Sequence, residues 1–237
     1  MTISNDARTR VKGVFEPIAL AMGRAGLTPD ALTLIGFAIT VLGAVLLSQQ
    51  QWIAGGLVVF LGGAFDMFDG TLARATGKVS RLGAFMDSVF DRAGEVVVYL
   101  GIVAGLLALG AYDLTFLAAA ALGSAVMVSY TRSKSEGLGF TAGTGMAAIG
   151  VMPREVRLVL LSIGLVVAGV IGMGPCECGR PWPVPSGSSV STMGGGVLFL
   201  VLAVITIGSI LTTVQRILHV RNQARQQASS QQTERNT

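Results

Sequence analysis

The chain has 237 residues, of which 51% are hydrophobic and only 13% charged, with a formal net charge of +4. A mean hydropathy of +0.67 excludes an ordinary soluble domain and places the chain in a lipid bilayer. The basic excess, a pI near 9.5, is explained by membrane topology plus phosphate-bearing ligands; no nucleic-acid motif accompanies it, so nucleic acid is not expected as a partner.

Residues 1–26 are expected to form a cytoplasmic tail and an interfacial amphipathic helix. Val11, Val14, Phe15, Ile18 and Met22 recur at helical spacing, while Arg8, Arg10 and Lys12 lie on other faces. Such a helix rests on the membrane surface with its cations among anionic headgroups, kinked at Pro17. The stretch has no compact apolar core followed by a small-residue cleavage site, so it does not read as a cleaved signal peptide. Thr28 reads as a helix N-cap with Pro29 at the first helical position.

A bilayer core of ~30 Å needs ~20 apolar residues per helix. Runs of that kind recur near 31–48, 52–68, 93–109, 114–130, 156–173 and 192–214, which predicts an all-α membrane protein with six transmembrane helices. Residues 27–218 are expected to form the six-helix membrane domain, and 219–237 a polar, disordered cytoplasmic tail. Six spans return both termini to one side. The basic residues from Arg8 to Arg225 gather on that side, with only Arg180 clearly opposite, so it is read as cytoplasmic in a multi-pass protein of the cell membrane. Cys176 and Cys178 fall in an outer loop; their C-x-C spacing strains a disulfide, and two ligands make no zinc site.

Against this oily background stand four aspartates. Asp66 and Asp69 are three residues apart near the cytoplasmic end of the second span, and Asp87 and Asp91 are four apart near the start of the third. Both spacings put a pair on one helix face. The connection TGKVSRL is short enough to predict a helical hairpin, with Gly62, Gly63, Gly70 and Ala73 on one helix and Gly83, Ala84 and Gly94 on the other allowing close approach. Four carboxylates are then expected to converge on a small volume.

A charged side chain near the bilayer centre costs roughly 2.5–3.5 kcal/mol, and mutual repulsion adds to it. Arg74 cannot balance four negative charges, whereas one or two divalent ions can. Oxygen-only ligands with no His or Cys nearby point to Mg²⁺ or Mn²⁺, and a carboxylate-bound metal site left open suits chemistry on phosphates. Helix caps or structural ion pairs, an ion or proton path in a membrane transporter, and an aspartate-rich prenyltransferase site are the other readings. The transporter is the alternative of a different class.

The run Asp66-x-x-Asp69-Gly70-x-x-Ala73-Arg74, followed after eight residues by Gly83-x-x-x-Asp87-x-x-x-Asp91, resembles the signature of the CDP-alcohol phosphotransferases. The similarity covers roughly residues 10–218. The resemblance implies transfer of the phosphatidyl group of CDP-diacylglycerol, or a related CDP-lipid, to an alcohol with release of CMP. It also implies a homodimer. It assigns Asp66, Asp69, Asp87 and Asp91 to two divalent ions, makes Asp91 the general base, and sets Gly70, Ala73, Arg74 and Gly83 beside the nucleotide. Pro29 and Thr33 are candidate nucleotide contacts.

The acceptor should be selected elsewhere on the cytoplasmic face. SYTRSKSEGLGF at the end of the fourth span and PREVRL at the start of the fifth supply Arg132, Lys134, Arg154 and Arg157. These resemble the phosphatidylinositol phosphate synthase branch, which implies inositol phosphate as the acceptor, with glycerol 3-phosphate as the alternative. Cations at this face also serve topology, and the linker TAGTGMAAIGVM is longer than in that branch. Glu95 is given no role.

Overall fold

The structure, a computed structural model, describes residues 17–140, 149–173 and 193–235. Among these residues the fold is entirely helical, as the apolar runs predict. Helix α1 covers residues 17–24, followed by α2 (Pro29–Ser48), α3 (Trp52–Ala75), α4 (Arg81–Ala108), α5 (Tyr112–Gly137), α6 (Arg154–Ile171) and α7 (Met193–Arg235). The basic segment with Arg8, Arg10 and Lys12, the apolar positions Val11, Val14 and Phe15, and the Cys176 and Cys178 loop lie outside the described residues.

Among the described residues, α2, α3, α5 and the Met193–Ser229 part of α7 are long and apolar enough to cross a bilayer. Six such helices were expected. Helices α4 and α6 fall short for a visible reason: α4 carries Arg81, Asp87, Asp91, Arg92 and Glu95, and α6 carries Arg154, Glu155 and Arg157 within 18 residues. Helix α7 also differs from expectation, continuing to Arg235 where a disordered tail was expected from residue 219. The polar extension is rich in Gln, Ala and Arg, good helix formers, and it propagates from a helix already nucleated.

The chain divides into two compact units, Met1–Gly105 and Leu106–Thr237. In the first, Thr28 caps α2 as expected, its Oγ1 accepting from the Ala31 amide at 3.2 Å. Gly77, at φ +68°, lets the chain leave α3, with the Lys78 amide reaching back to the Ala73 carbonyl at 2.9 Å. Ser80 then caps α4, accepting from the Gly83 amide at 2.9 Å. Helix α1 is held by Ala19, buried against Leu32 and Leu72, with Met22, Leu27, Phe65 and Phe68 around them.

The small residues do not act as the sequence suggests. Gly62 and Gly94 were expected to bring α3 and α4 together, but both face Thr40 of α2. Further along, Gly43 faces Val59, and Gly101 and Gly105 of α4 meet the backbone of Ala44 and Leu47. Phe37 and Phe90 add a tilted aromatic pair between α2 and α4, with centroids 5.0 Å apart. Lipid gives helices little hydrophobic reason to associate, so backbone approach at glycines supplies the packing.

In the second unit α7 packs against α5 and α6. Gly164 admits Val201, and Gly208 admits Met152. Thr212 ties the entry of α6 to α7, accepting from the Met152 amide at 3.0 Å and donating to the Gly208 carbonyl at 2.8 Å.

Candidate active site

A cleft in the first unit is lined by three elements. The start of α2 gives Pro29, Asp30 and Thr33; the end of α3 gives Asp69, Gly70, Ala73 and Arg74; the turn and the start of α4 give Lys78, Val79, Ser80, Gly83, Ala84 and Asp87. Every residue read from the sequence as bordering the nucleotide, namely Pro29, Thr33, Gly70, Ala73, Arg74 and Gly83, lines this one cleft. Asp30, Lys78 and Ser80 were not singled out. Asp30 and Ser80 carry a signal only in hindsight, as polar residues flanking Pro29 and Gly83 in sequence or space.

Gly70 and Gly83 open the walls. A Cβ at Gly70 would stand 3.2 Å from Nη1 of Arg74, and one at Gly83 would stand 3.0 Å from Oγ of Ser80. Arg74 therefore folds back over Gly70, its Nη2 3.4 Å from Oγ1 of Thr71.

Asp69 is only 4% exposed. Its Oδ2 accepts from Oγ1 of Thr33 at 2.6 Å, and its Oδ1 accepts from the Gly70 amide. Asp87 and Asp66 both lie within electrostatic reach of it. Asp66 sits against α2, its Oδ1 2.9 Å from where a Cβ on Gly36 would be.

Of the four paired aspartates, Asp69 and Asp87 line the cleft; Asp66 lies about one turn before Asp69 in α3, and Asp91 about one turn after Asp87 in α4. The expected convergence of four carboxylates is therefore looser than the spacing suggests, and among the described residues no three Asp, Glu, His or Cys side chains form a ready-made metal group. Like charges facing one cleft repel, which opposes closer approach of the bare carboxylates.

The cations assigned to the acceptor divide differently from expectation. Arg157, expected at an open mouth, is 1% exposed, and its Nη1 donates to the Met152 carbonyl at 2.9 Å. Arg132 is half exposed and paired with Glu136, Nε to Oε1 at 2.9 Å. Lys134 is exposed and Arg154 partly buried. Sequence reasoning gave Arg216 only a topological role, whereas the structure buries it beside the candidate acceptor cations. It is 3% exposed and lies within electrostatic reach of Arg132 and Arg157. Its Nε donates to the Ile149 carbonyl at 3.1 Å, and its Nη1 to the Val128 carbonyl. These two carbonyls hold the guanidinium in place, and Glu136 and Glu155 also lie within electrostatic reach of it. The available signal was an arginine inside the apolar run ILTTVQRILHV. Arg92 donates to Oγ of Ser88 at 2.7 Å.

Comparison with known proteins adds to this geometry. An archaetidylinositol phosphate synthase of Pyrococcus horikoshii is 40% identical over 156 residues, covering 66% of this chain and 78% of that protein. A phosphatidylinositol phosphate synthase of Streptomyces avermitilis is 33% identical over 222 residues, covering 92% and 82%. The crystal structure of the Mycobacterium tuberculosis phosphatidylinositol phosphate synthase with CDP-DAG bound superposes with a TM-score of 0.69 at 28% identity, covering 87% of this chain and 93% of that one. The same enzyme in complex with manganese and citrate also gives 0.69, at 29% identity, covering 87% and 88%. The sequence profile of the CDP-alcohol phosphatidyltransferases matches residues 26–220, the stretch that holds both the cleft and the buried arginines, and the chain belongs to that family.

Proposed function

We propose that the chain transfers the phosphatidyl group of CDP-diacylglycerol to a hydroxyl of inositol phosphate, releasing CMP, as a step of phospholipid biosynthesis. The observation that carries this reading is the cleft, where Asp69 and Asp87 face the same space as Pro29, Gly70, Ala73, Arg74 and Gly83. The relatives named for inositol phosphate products support the acceptor. The clustering of Arg132, Arg157 and Arg216 within electrostatic reach of one another supports an anionic one.

The donor set suits two Mg²⁺ or Mn²⁺ ions. Asp66, Asp69, Asp87 and Asp91 offer carboxylate oxygens alone, and Asp69 is buried among further negative charge. When bound, the ions neutralise the diphosphate and the charge developing on departing CMP. Asp91 takes the proton of the acceptor hydroxyl as its oxygen bonds to the phosphatidyl phosphorus and the bond from that phosphorus to CMP breaks. Gly70, Ala73 and Gly83 leave room for the nucleotide along the backbone, and Arg74 offers a forked contact to phosphate. Arg132, Lys134, Arg154, Arg157 and Arg216 serve the acceptor phosphate.

In this reading α4 and α6 also cross the bilayer, making six spans, with both termini and the site on the cytoplasmic side. The charges that make these two helices less apolar are those assigned to the reaction. The family resemblance supports a homodimer.

The test is purified protein with CDP-diacylglycerol and Mn²⁺, following CMP release with inositol phosphate, glycerol 3-phosphate, or serine as acceptor. Fastest release with inositol phosphate is expected. A better response to glycerol 3-phosphate replaces the acceptor, and ion flux in sealed vesicles with no CMP release from any acceptor favours a transporter.

A further inference from the structure

From the buried contact between Thr33 and Asp69 we infer that Thr33 is a positioning residue for metal binding, holding the Asp69 carboxylate in place from a helix that carries none of the four aspartates. The inference rests on the metal reading given above and extends it to α2.

The Thr33 hydroxyl has one proton and two acceptors within reach: Oδ2 of Asp69 at 2.6 Å and the Pro29 carbonyl at 3.3 Å. The shorter bond to the charged oxygen wins. The Gly70 amide serves the other oxygen of Asp69, so both ends of the carboxylate are tethered and its rotation is blocked. A carboxylate has about four lone-pair positions, and two such bonds leave capacity for a metal on each oxygen.

The restraint matters because of what surrounds it. Asp87 and Asp66 both repel Asp69, so its carboxylate is pushed by like charge unless a donor holds it. Without the hydroxyl, the Gly70 amide holds one oxygen only, the other swings away from the like charges beside it, and metal binding must work against that displacement. Thr33 itself is 6% exposed, so water does not readily replace the lost donor.

The experiment uses full-length Thr33→Val, Thr33→Ser and Asp69→Asn proteins in detergent. Mn²⁺ is titrated without substrate, and the free ion is read by its electron paramagnetic resonance signal. Valine keeps the shape and removes the donor, and Mn²⁺ affinity is expected to fall about 10–100-fold, as for partners that orient metal ligands. Serine keeps the donor and is expected to bind near the parent level. If the Val protein does not fold, Thr33→Ala takes its place with the same expectation.

Parent-like Mn²⁺ affinity in the Val or Ala variant, while Asp69→Asn loses binding, overturns the positioning role and leaves the metal reading standing. A raised KM for the CDP-lipid at unchanged Mn²⁺ affinity overturns it in favour of a nucleotide contact. Absence of Mn²⁺ binding by the parent protein overturns both.

Discussion

The carboxylate of Asp66 occupies the space where a side chain on Gly36 would begin: Oδ1 lies 2.9 Å from the position of a Cβ there. The two residues belong to different helices, and the absence of a side chain on α2 is what lets the charge on α3 sit at this depth.

Gly36→Ala should therefore displace the Asp66 carboxylate more than it disturbs the fold. The remaining neighbours of the new methyl, Cβ of Phe65 at 3.5 Å and the Gly62 carbonyl at 3.6 Å, are at ordinary contact distances. Turnover is expected to fall by about tenfold or more, in line with displaced metal ligands, with little change in the melting temperature. Equal losses in both would mean that the helix pair, not the carboxylate, was perturbed.

Glycines against backbone should behave differently. A Cβ on Gly101 would land on the Ala44 carbonyl oxygen, whereas Gly123 has nothing within 4 Å. Gly101→Ala is expected to destabilise by about 1–3 kcal/mol through overpacking. Gly123→Ala should stabilise by roughly 0.5–1 kcal/mol through helix propensity. Thermal unfolding in detergent compares the two.

Asp91→Asn is expected to lower turnover by about 10²–10⁴-fold, the usual contribution of a general base, while CDP-lipid binding largely survives. Asp66→Asn and Asp69→Asn should weaken both, because they remove metal ligands. Near-normal turnover of the Asp91 variant at saturating substrate takes it out of the base role.

Neutralising a cation that binds the acceptor phosphate should raise the acceptor KM, with each charge-assisted hydrogen bond worth roughly 1.5–3 kcal/mol. The buried positions should dominate: Arg157→Gln and Arg216→Gln are expected to have larger effects than substitutions at Arg132, already paired with Glu136, or at exposed Lys134. The donor KM should hold steady. Equal membrane insertion is confirmed first, and unchanged acceptor dependence in all these variants and Arg154→Gln would remove the phosphate pocket.

Chelation supplies the broadest check. Exhaustive removal of divalent ions should abolish CMP release, and added Mn²⁺ or Mg²⁺ should restore it, since carboxylates alone repel a diphosphate. Full activity after chelation would require another mechanism.

Local spacing and the motif together picked out much of the candidate cleft. Asp66 and Asp69, three apart, and Asp87 and Asp91, four apart, share helix faces wherever the helices run. The Thr28 cap was readable because it spans only 3 residues, to Ala31. Composition likewise fixed the helical membrane class, since only helices and closed barrels satisfy their backbone in lipid. Which helix each glycine admits was not readable: Gly62 and Gly94 could serve any partner, and packing turned both toward Thr40. The bond from Thr33 to Asp69 spans 36 positions, and that from Arg216 to Val128 spans 88. Such contacts depend on how separate helices cross, which follows from many close approaches acting together and leaves no spacing in the chain. In sequence Arg157 read as an acceptor-pocket cation and Arg216 only as a topological charge, and it is the packing of α5, α6 and α7 that buried both guanidiniums within electrostatic reach of each other.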